Sequence, residues 1–242
     1  MTNAGGGGPV DATGQDGSAT TSPGEARAVD PSVRHLPAGH LPARAWRRAV
    51  SEVRPHRRAA LTVAAVAVPA TVAGMMSAGQ PLALLPAAGY LALVGSALAV
   101  IDARTHRLPD ALVLPSYPLL AALLGLASVL GPDGGALVRA LAGGLGLYGA
   151  YFLLALAPSG LGFGDVKLAG LVGAVLAGCG WAELAVGASA AFFLGGAWAV
   201  VLLATGRAGR RTAIPFGPFV LAGALVGVLC GPPVLGEALL LG

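Results

Sequence analysis

Charge is what this chain has least of: only 11% of its 242 residues are Asp, Glu, Lys or Arg. Hydrophobic residues make up 55% and the mean hydropathy is +0.76, far from the balance of a water-soluble globule. The sequence reads as an integral membrane protein. Aromatics amount to 5%, too few for the girdles of a membrane β-barrel, whereas the Ala, Leu and Val content with 38 Gly suits closely packed helices. Cysteine is nearly missing: Cys179 and Cys230, both in apolar surroundings, exclude a disulfide framework and a four-cysteine zinc site. Of four histidines, His35, His40 and His56 precede the apolar part and His106 stands alone in a polar break, so no pair has metal-ligand spacing. No metal and no other cofactor is expected. Ser189 has no histidine on any apolar run to activate it, which disfavours a membrane serine protease, and there is no Gly-Lys-Ser phosphate loop.

The chain divides at about residue 58. Residues 1 to 39 are Gly, Ser, Thr, Pro and Asp with hardly any large apolar side chain, and cannot bury enough surface to offset their ordering entropy. They are expected to be disordered, and nothing in them resembles a secretory signal. Between residues 44 and 54, Trp46, Ala49, Val50 and Val53 recur at helical spacing among Arg44, Arg47, Arg48 and Arg54, until Pro55 ends the pattern. That segment suits either a helix lying on a membrane surface or an irregular basic flank. Residues 1 to 58 carry 8 Arg against 5 acids and form a basic tail, while 59 to 242, with 7 basic residues against 6 acids, form the membrane part. Arginine beside a membrane segment sets orientation and touches anionic lipid, so no nucleic-acid partner is expected.

From Ala59 onward, apolar runs near the length that crosses a hydrocarbon core alternate with short polar breaks. They predict spans at 59–78, 82–101, 111–130, 136–157, 166–178, 184–205 and 216–241, an all-α polytopic bundle of about seven transmembrane helices. The fifth run is short and the seventh contains Gly231-Pro232-Pro233, so these two are the candidates for a broken or tilted span. Placing the breaks alternately on two sides puts twelve basic residues (Arg44, Arg47, Arg48, Arg54, Arg57, Arg58, Arg104, Arg107, Lys167, Arg207, Arg210 and Arg211) with the amino terminus and Arg139 alone opposite. The positive-inside rule then predicts a multi-pass protein of the inner or plasma membrane with its N-terminus cytoplasmic, and Asp133, Glu183 and Glu237 outside. Gly143, Gly146 and Gly149 in the fourth run, and Gly223 with Gly227 in the seventh, predict close helix approach.

Acids at a bilayer are few because each costs roughly 2.5 to 3.5 kcal/mol at a helix centre, so those present are functional candidates. Asp102 directly follows the apolar run ending at Ile101, and Asp165 opens the fifth run after Gly162-Phe163-Gly164. The topology puts both at the cytoplasmic boundary, where contact between spans two and five would bring them together. Two carboxyls sharing a site cannot both ionise comfortably; one keeps a proton while the other accepts one from water. Such a pair could activate water against a peptide carbonyl and protonate the departing amine without a metal. Gly162 and Gly164 permit a loop that holds Asp165 toward a substrate strand. The plainer reading has Asp102 ending its helix near Arg104 or Arg107 and Asp165 capping the next one. Lys167 lies on a different helical face from Asp165, either reaching the headgroups or tuning the pair. Asp110, after Pro109, reads as a cap of the third span.

Three stretches carry a family resemblance: Asp102-Ala103-Arg104-Thr105-His106-Arg107-Leu108-Pro109-Asp110, Gly162-Phe163-Gly164-Asp165-Val166-Lys167-Leu168 and Ile214-Pro215-Phe216-Gly217-Pro218-Phe219. In order, spacing and sidedness they resemble the signature stretches of the type IV prepilin leader peptidases, over about residues 82 to 225. The resemblance implies a membrane aspartic endopeptidase of the GxGD type, which removes the short basic leader from prepilin-like or pseudopilin-like proteins ahead of their apolar helix. Asp102 and Asp165 match the family's two catalytic aspartates. The long bacterial members also carry an amino-terminal region with Cys-x-x-Cys pairs, and many methylate the new amino terminus; residues 1 to 58 hold no such cysteines, so peptidase activity alone is expected. Two readings of other classes remain at this point: a transporter or proton relay using Asp102 and Asp165, and a noncatalytic assembly scaffold.

Overall fold

The computed structural model describes residues 47, 51, 53–156, 161–206 and 215–240, with side chains as far as 231. Seven helices follow the apolar runs: α1 (Arg57–Ser77), α2 (Leu85–Thr105), α3 (Asp110–Leu130), α4 (Ala136–Leu156), α5 (Phe163–Cys179), α6 (Trp181–Ala204) and α7 (Gly217–Leu240). Single turns of 3₁₀ helix precede α1 at Arg54–His56 and α2 at Leu82–Leu84, and no strand occurs among the described residues. The expected disorder of residues 1 to 39 lies outside the described residues, as does most of the 44–54 segment.

Arg54–Ser77, Leu82–Thr105, Asp110–Leu130, Ala136–Leu156 and Trp181–Ala204 are long and apolar enough to cross a membrane. The chain is an all-α, multi-pass membrane protein, with large apolar side chains such as Val129, Leu145 and Phe193 turned outward where lipid would lie. The two irregular runs differ from these five. α5 has 17 residues, about 25 Å at ~1.5 Å per residue, and twelve of them are buried. It is the central post of the bundle, touched by α2, α3, α4, α6 and α7. A helix sheathed by its neighbours has no need to match the hydrocarbon thickness. α7 keeps its helical backbone through Gly231-Pro232-Pro233.

Glycine lets the helices meet backbone to backbone. A Cβ on Gly143 of α4 would lie 2.2 Å from the Ala177 Cβ of α5, and one on Gly173 would lie 2.6 Å from the Gly143 carbonyl oxygen. Across α6 and α7, a Cβ on Gly223 would sit 2.6 Å from the Gly187 carbonyl oxygen and one on Gly227 2.5 Å from that of Glu183. Such contact replaces the hydrophobic drive that lipid does not supply. The α4 stripe is corrected in one respect: Gly146 and Gly149 meet nothing within 4 Å, and it is Gly144 that faces Gly170 and Ala174.

At the end of the bundle where α1 finishes, Gln80 Nε2 donates to the buried Glu183 carboxylate. Arg139 pairs with Asp133 at 2.5 Å and donates to the carbonyl oxygens of Ala177 and Gly178, which closes the last turn of α5. Between α1, α2 and α7 an apolar cavity of about 660 Å³ runs from Thr71 and Ala88 to Ala103 and Pro218, at the opposite end.

Candidate active site

Asp102 occupies the last turn of α2, where the helix dipole disfavours a negative charge. Its side chain is nonetheless buried, at 4% exposure. Two neighbouring features accommodate it. His106 takes a left-handed conformation, φ 52°, and its N–H bonds the Asp102 carbonyl oxygen at 2.8 Å, so α2 stops directly beyond the acid. The Gly217 N–H, in the first turn of α7, donates to Asp102 Oδ2 at 2.9 Å. The positive end of one helix thus meets the acid at the negative end of another. A Cβ on residue 217 would stand 2.8 Å from that same oxygen, so the contact needs a glycine there. Neither Arg104 nor Arg107 ends on Asp102 among the described bonds; Arg104 lies against His56 Nδ1 at 3.0 Å.

Asp165 is the third residue of α5 and 7% exposed. Its Oδ2 accepts the Gly162 N–H at 3.2 Å, while its own N–H bonds the Gly162 carbonyl oxygen at 3.0 Å. The capping role read from the sequence is therefore present, yet it uses one carboxylate oxygen only. Oδ1 is buried with no hydrogen-bond partner among the described residues. A residue with a Cβ at 164 would approach the Leu108 Cβ to 2.8 Å, so Gly164 lets the start of α5 seat against the segment that follows α2.

The structure brings Asp102 and Asp165 to one end of the bundle, where α2 contacts α5 and Leu108, just beyond α2, seats against Gly164 beside Asp165. Lys167 is not directed at the pair. Its Nζ bonds Asp110 Oδ1 at 2.6 Å, fastening α5 to α3, and the Tyr117 hydroxyl adds a bond to the Lys167 carbonyl oxygen at 2.7 Å. Asp110 accordingly begins α3 without capping it; the N-cap is Pro109. Nothing in the sequence singles out Gly217 within its motif, or Tyr151, an α4 side chain 3% exposed whose ring packs on Phe216 and Phe192. No group of three His, Cys, Asp or Glu able to hold a metal occurs among the described residues.

Fold and site together define a class: polytopic helical membrane proteins with two buried aspartates from different helices at one end. Residues 89–200 match the model of the Type IV leader peptidase family. The chain is 34% identical over 140 residues to a prepilin leader peptidase/N-methyltransferase of Pseudomonas putida, covering 57% of this chain and 47% of that protein. Against the protein of the same name from Burkholderia pseudomallei (strain 1026b) the identity is 34% over 168 residues, 66% of this chain and 53% of the other. For that of Bacillus subtilis (strain 168) it is 31% over 157 residues, with 65% and 60% covered. The chain spans about half the length of the curated relatives it matches. No solved structure matches it.

Proposed function

We propose that this chain is a membrane aspartic endopeptidase that removes the short basic leader from prepilin-like or pseudopilin-like proteins at the cytoplasmic face, with Asp102 and Asp165 as its catalytic pair. The observation that carries this reading is the burial of two aspartates, remote in sequence, at one end of the bundle where α2 and α5 pack together. The family-model match over residues 89–200 and the names of the relatives support the substrate class.

The chemistry follows from like charges in one site. Two such carboxyls hold a single proton between them and titrate as a unit. The ionised member takes a proton from water as the water oxygen attacks the scissile carbonyl carbon. The protonated member donates to the carbonyl oxygen, and as the tetrahedral intermediate collapses a proton passes to the departing nitrogen. The Gly217 N–H orients Asp102, and the Gly162 N–H orients Asp165. Gly164 and the Lys167–Asp110 pair hold the loop and helix start that carry Asp165. No step calls for a metal.

The end of the bundle that holds the pair also holds Arg57, Arg58, Arg104, Arg107 and Lys167, with Arg139 at the other end, which supports a cytoplasmic site and N-terminus in the inner or plasma membrane. The apolar cavity ending at Ala103 and Pro218, the neighbours of Asp102 and Gly217, offers the substrate's apolar helix a seat with its leader end at the pair. A proton relay across the bundle fits less well: from Val166 to Gly178 the buried residues of α5 are apolar or glycine, with no ionisable group to bridge the two ends. The test is co-expression with a small protein bearing a basic leader and one apolar helix, followed by mass measurement of the product. Wild type shortens the substrate, while Asp102→Asn and Asp165→Asn each leave it intact and still insert normally. Cleavage retained by either variant defeats the proposal.

A further inference from the structure

Two buried polar atoms at the site end have no hydrogen-bond partner among the described residues: Asp165 Oδ1 and the Tyr151 hydroxyl. Buried polar groups are nearly always paired, so an orphan in a functional region calls for a purpose. The register of α4 against α5 places the tyrosine. Gly144 faces Gly170 and Ala174, Tyr148 also abuts Gly170, and one turn further along α4 Tyr151 comes opposite the beginning of α5. Its ring is clamped between Phe216, centroids 6.1 Å apart at 60°, and Phe192, 6.5 Å apart at 78°. Phe216 directly precedes Gly217, which holds Asp102, and its own ring fills the space beside Gly195. The phenol is therefore buried, at 3% exposure, beside the turn whose Gly217 holds Asp102. It also lies within electrostatic reach of Asp165.

We infer that Tyr151 is a third catalytic residue of the site, whose O–H donates to the scissile carbonyl oxygen of the bound peptide and strengthens that bond as the oxygen gains negative charge. Donor and acceptor chemistry select this use. A phenol at neutral pH offers a proton, and a peptide carbonyl becoming a tetrahedral alkoxide is the strongest acceptor that the proposed reaction creates. The substrate carbonyl, seated between the phenol and Asp165, would give both orphan atoms a partner. This inference rests on the peptidase reading given above.

Tyr151→Phe keeps the ring and its two aromatic contacts and removes only the donor. In proteoliposomes carrying a leader-bearing substrate, kcat is expected to fall about 10²-fold, the usual cost of one oxyanion donor, with KM and the thermal midpoint unchanged. Fluorotyrosines of graded acidity at position 151 supply a readout that packing alone would not move: kcat at a fixed pH where the phenol stays protonated varies in step with phenol acidity. Wild-type kcat in Tyr151→Phe, or a kcat indifferent to fluorination, overturns the assignment and leaves the aspartyl mechanism standing. Wild type that fails to cleave at all counts against the peptidase reading itself.

Discussion

Replacing Gly217 with alanine is a small change with a large expected consequence. The new Cβ would sit 2.8 Å from Asp102 Oδ2, 3.3 Å from Cγ and 3.4 Å from Cβ. Carbon and oxygen without a conventional hydrogen bond settle near 3.3 Å or beyond, so the carboxylate must recede by roughly 0.5 Å. The Gly217 N–H bond to Oδ2, now 2.9 Å, stretches or breaks as it does so. Losing a backbone donor to a carboxylate is worth about 1.5 to 3 kcal/mol, and about 1.4 kcal/mol is a factor of ten. A misplacement of ~1 Å at a reacting group costs about 10²-fold, so half that distance sits comfortably within the same span. Gly217→Ala should therefore cleave leader about 10- to 100-fold more slowly under single-turnover conditions in proteoliposomes. Insertion should be intact, since alanine is a good helix former. Gly146→Ala, with nothing within 4 Å of its new Cβ, is the control and should match wild type. Wild-type cleavage by Gly217→Ala would refute the placement of Asp102 by the start of α7.

Three further outcomes follow from the packing and charges. Ala99→Trp projects a large ring into the cavity between α1, α2 and α7 and should raise KM for a substrate with an intact apolar helix, leaving kcat near wild type, as read from initial rates. Gly143→Val forces α4 from α5, where even a Cβ would lie 2.2 Å from Ala177, and should cost about 1 to 3 kcal/mol or more, seen as a lower thermal midpoint in detergent. The Arg139 guanidinium bonded to Asp133 holds that exposed carboxyl below the usual carboxylate range, with the Gly135 N–H helping. A depressed folded-state pKa means that the pair stabilises the fold above the ordinary carboxylate range and is lost as pH falls through it. The gap in thermal midpoint between wild type and Asp133→Asn should accordingly close on acidification and stay constant between neutral and mildly basic pH.

The helices were plain in the sequence because scarce charge and runs of about twenty apolar residues leave few alternatives in lipid, and the observed ends fall within a few residues of the expected ones. That Asp102 and Asp165 share an end followed from counting alternate spans, which needs parity and no tertiary information. What lay beyond reach was rotation about helix axes. Gly143, Gly144, Gly146 and Gly149 look alike in sequence, and only the partner helix decides that the first two make contact. Nothing in the sequence sets Tyr151 apart from its apolar run; its burial depends on helices brought in by the fold, with Phe192 and Phe216 packed on its ring. The hold of Gly217 on Asp102 spans 115 residues. Lys167 reads in the sequence chiefly as a headgroup-reaching lysine, and only the start of α3 places Asp110 beside it. The short fifth run was ambiguous because its length was judged against a bilayer, whereas α5 is surrounded by protein.

The most direct measurement is proximity in the membrane. In a chain with Cys179 and Cys230 replaced, cysteines at positions 102 and 165 should be joined by mild oxidant or the shortest bifunctional thiol reagents. Ala140→Cys with Gly178→Cys, whose Cβ atoms would stand 3.7 Å apart, serves as the positive control. Cross-linking of both pairs is the expected result. A control pair that joins while positions 102 and 165 stay separate at every reagent length would contradict the account.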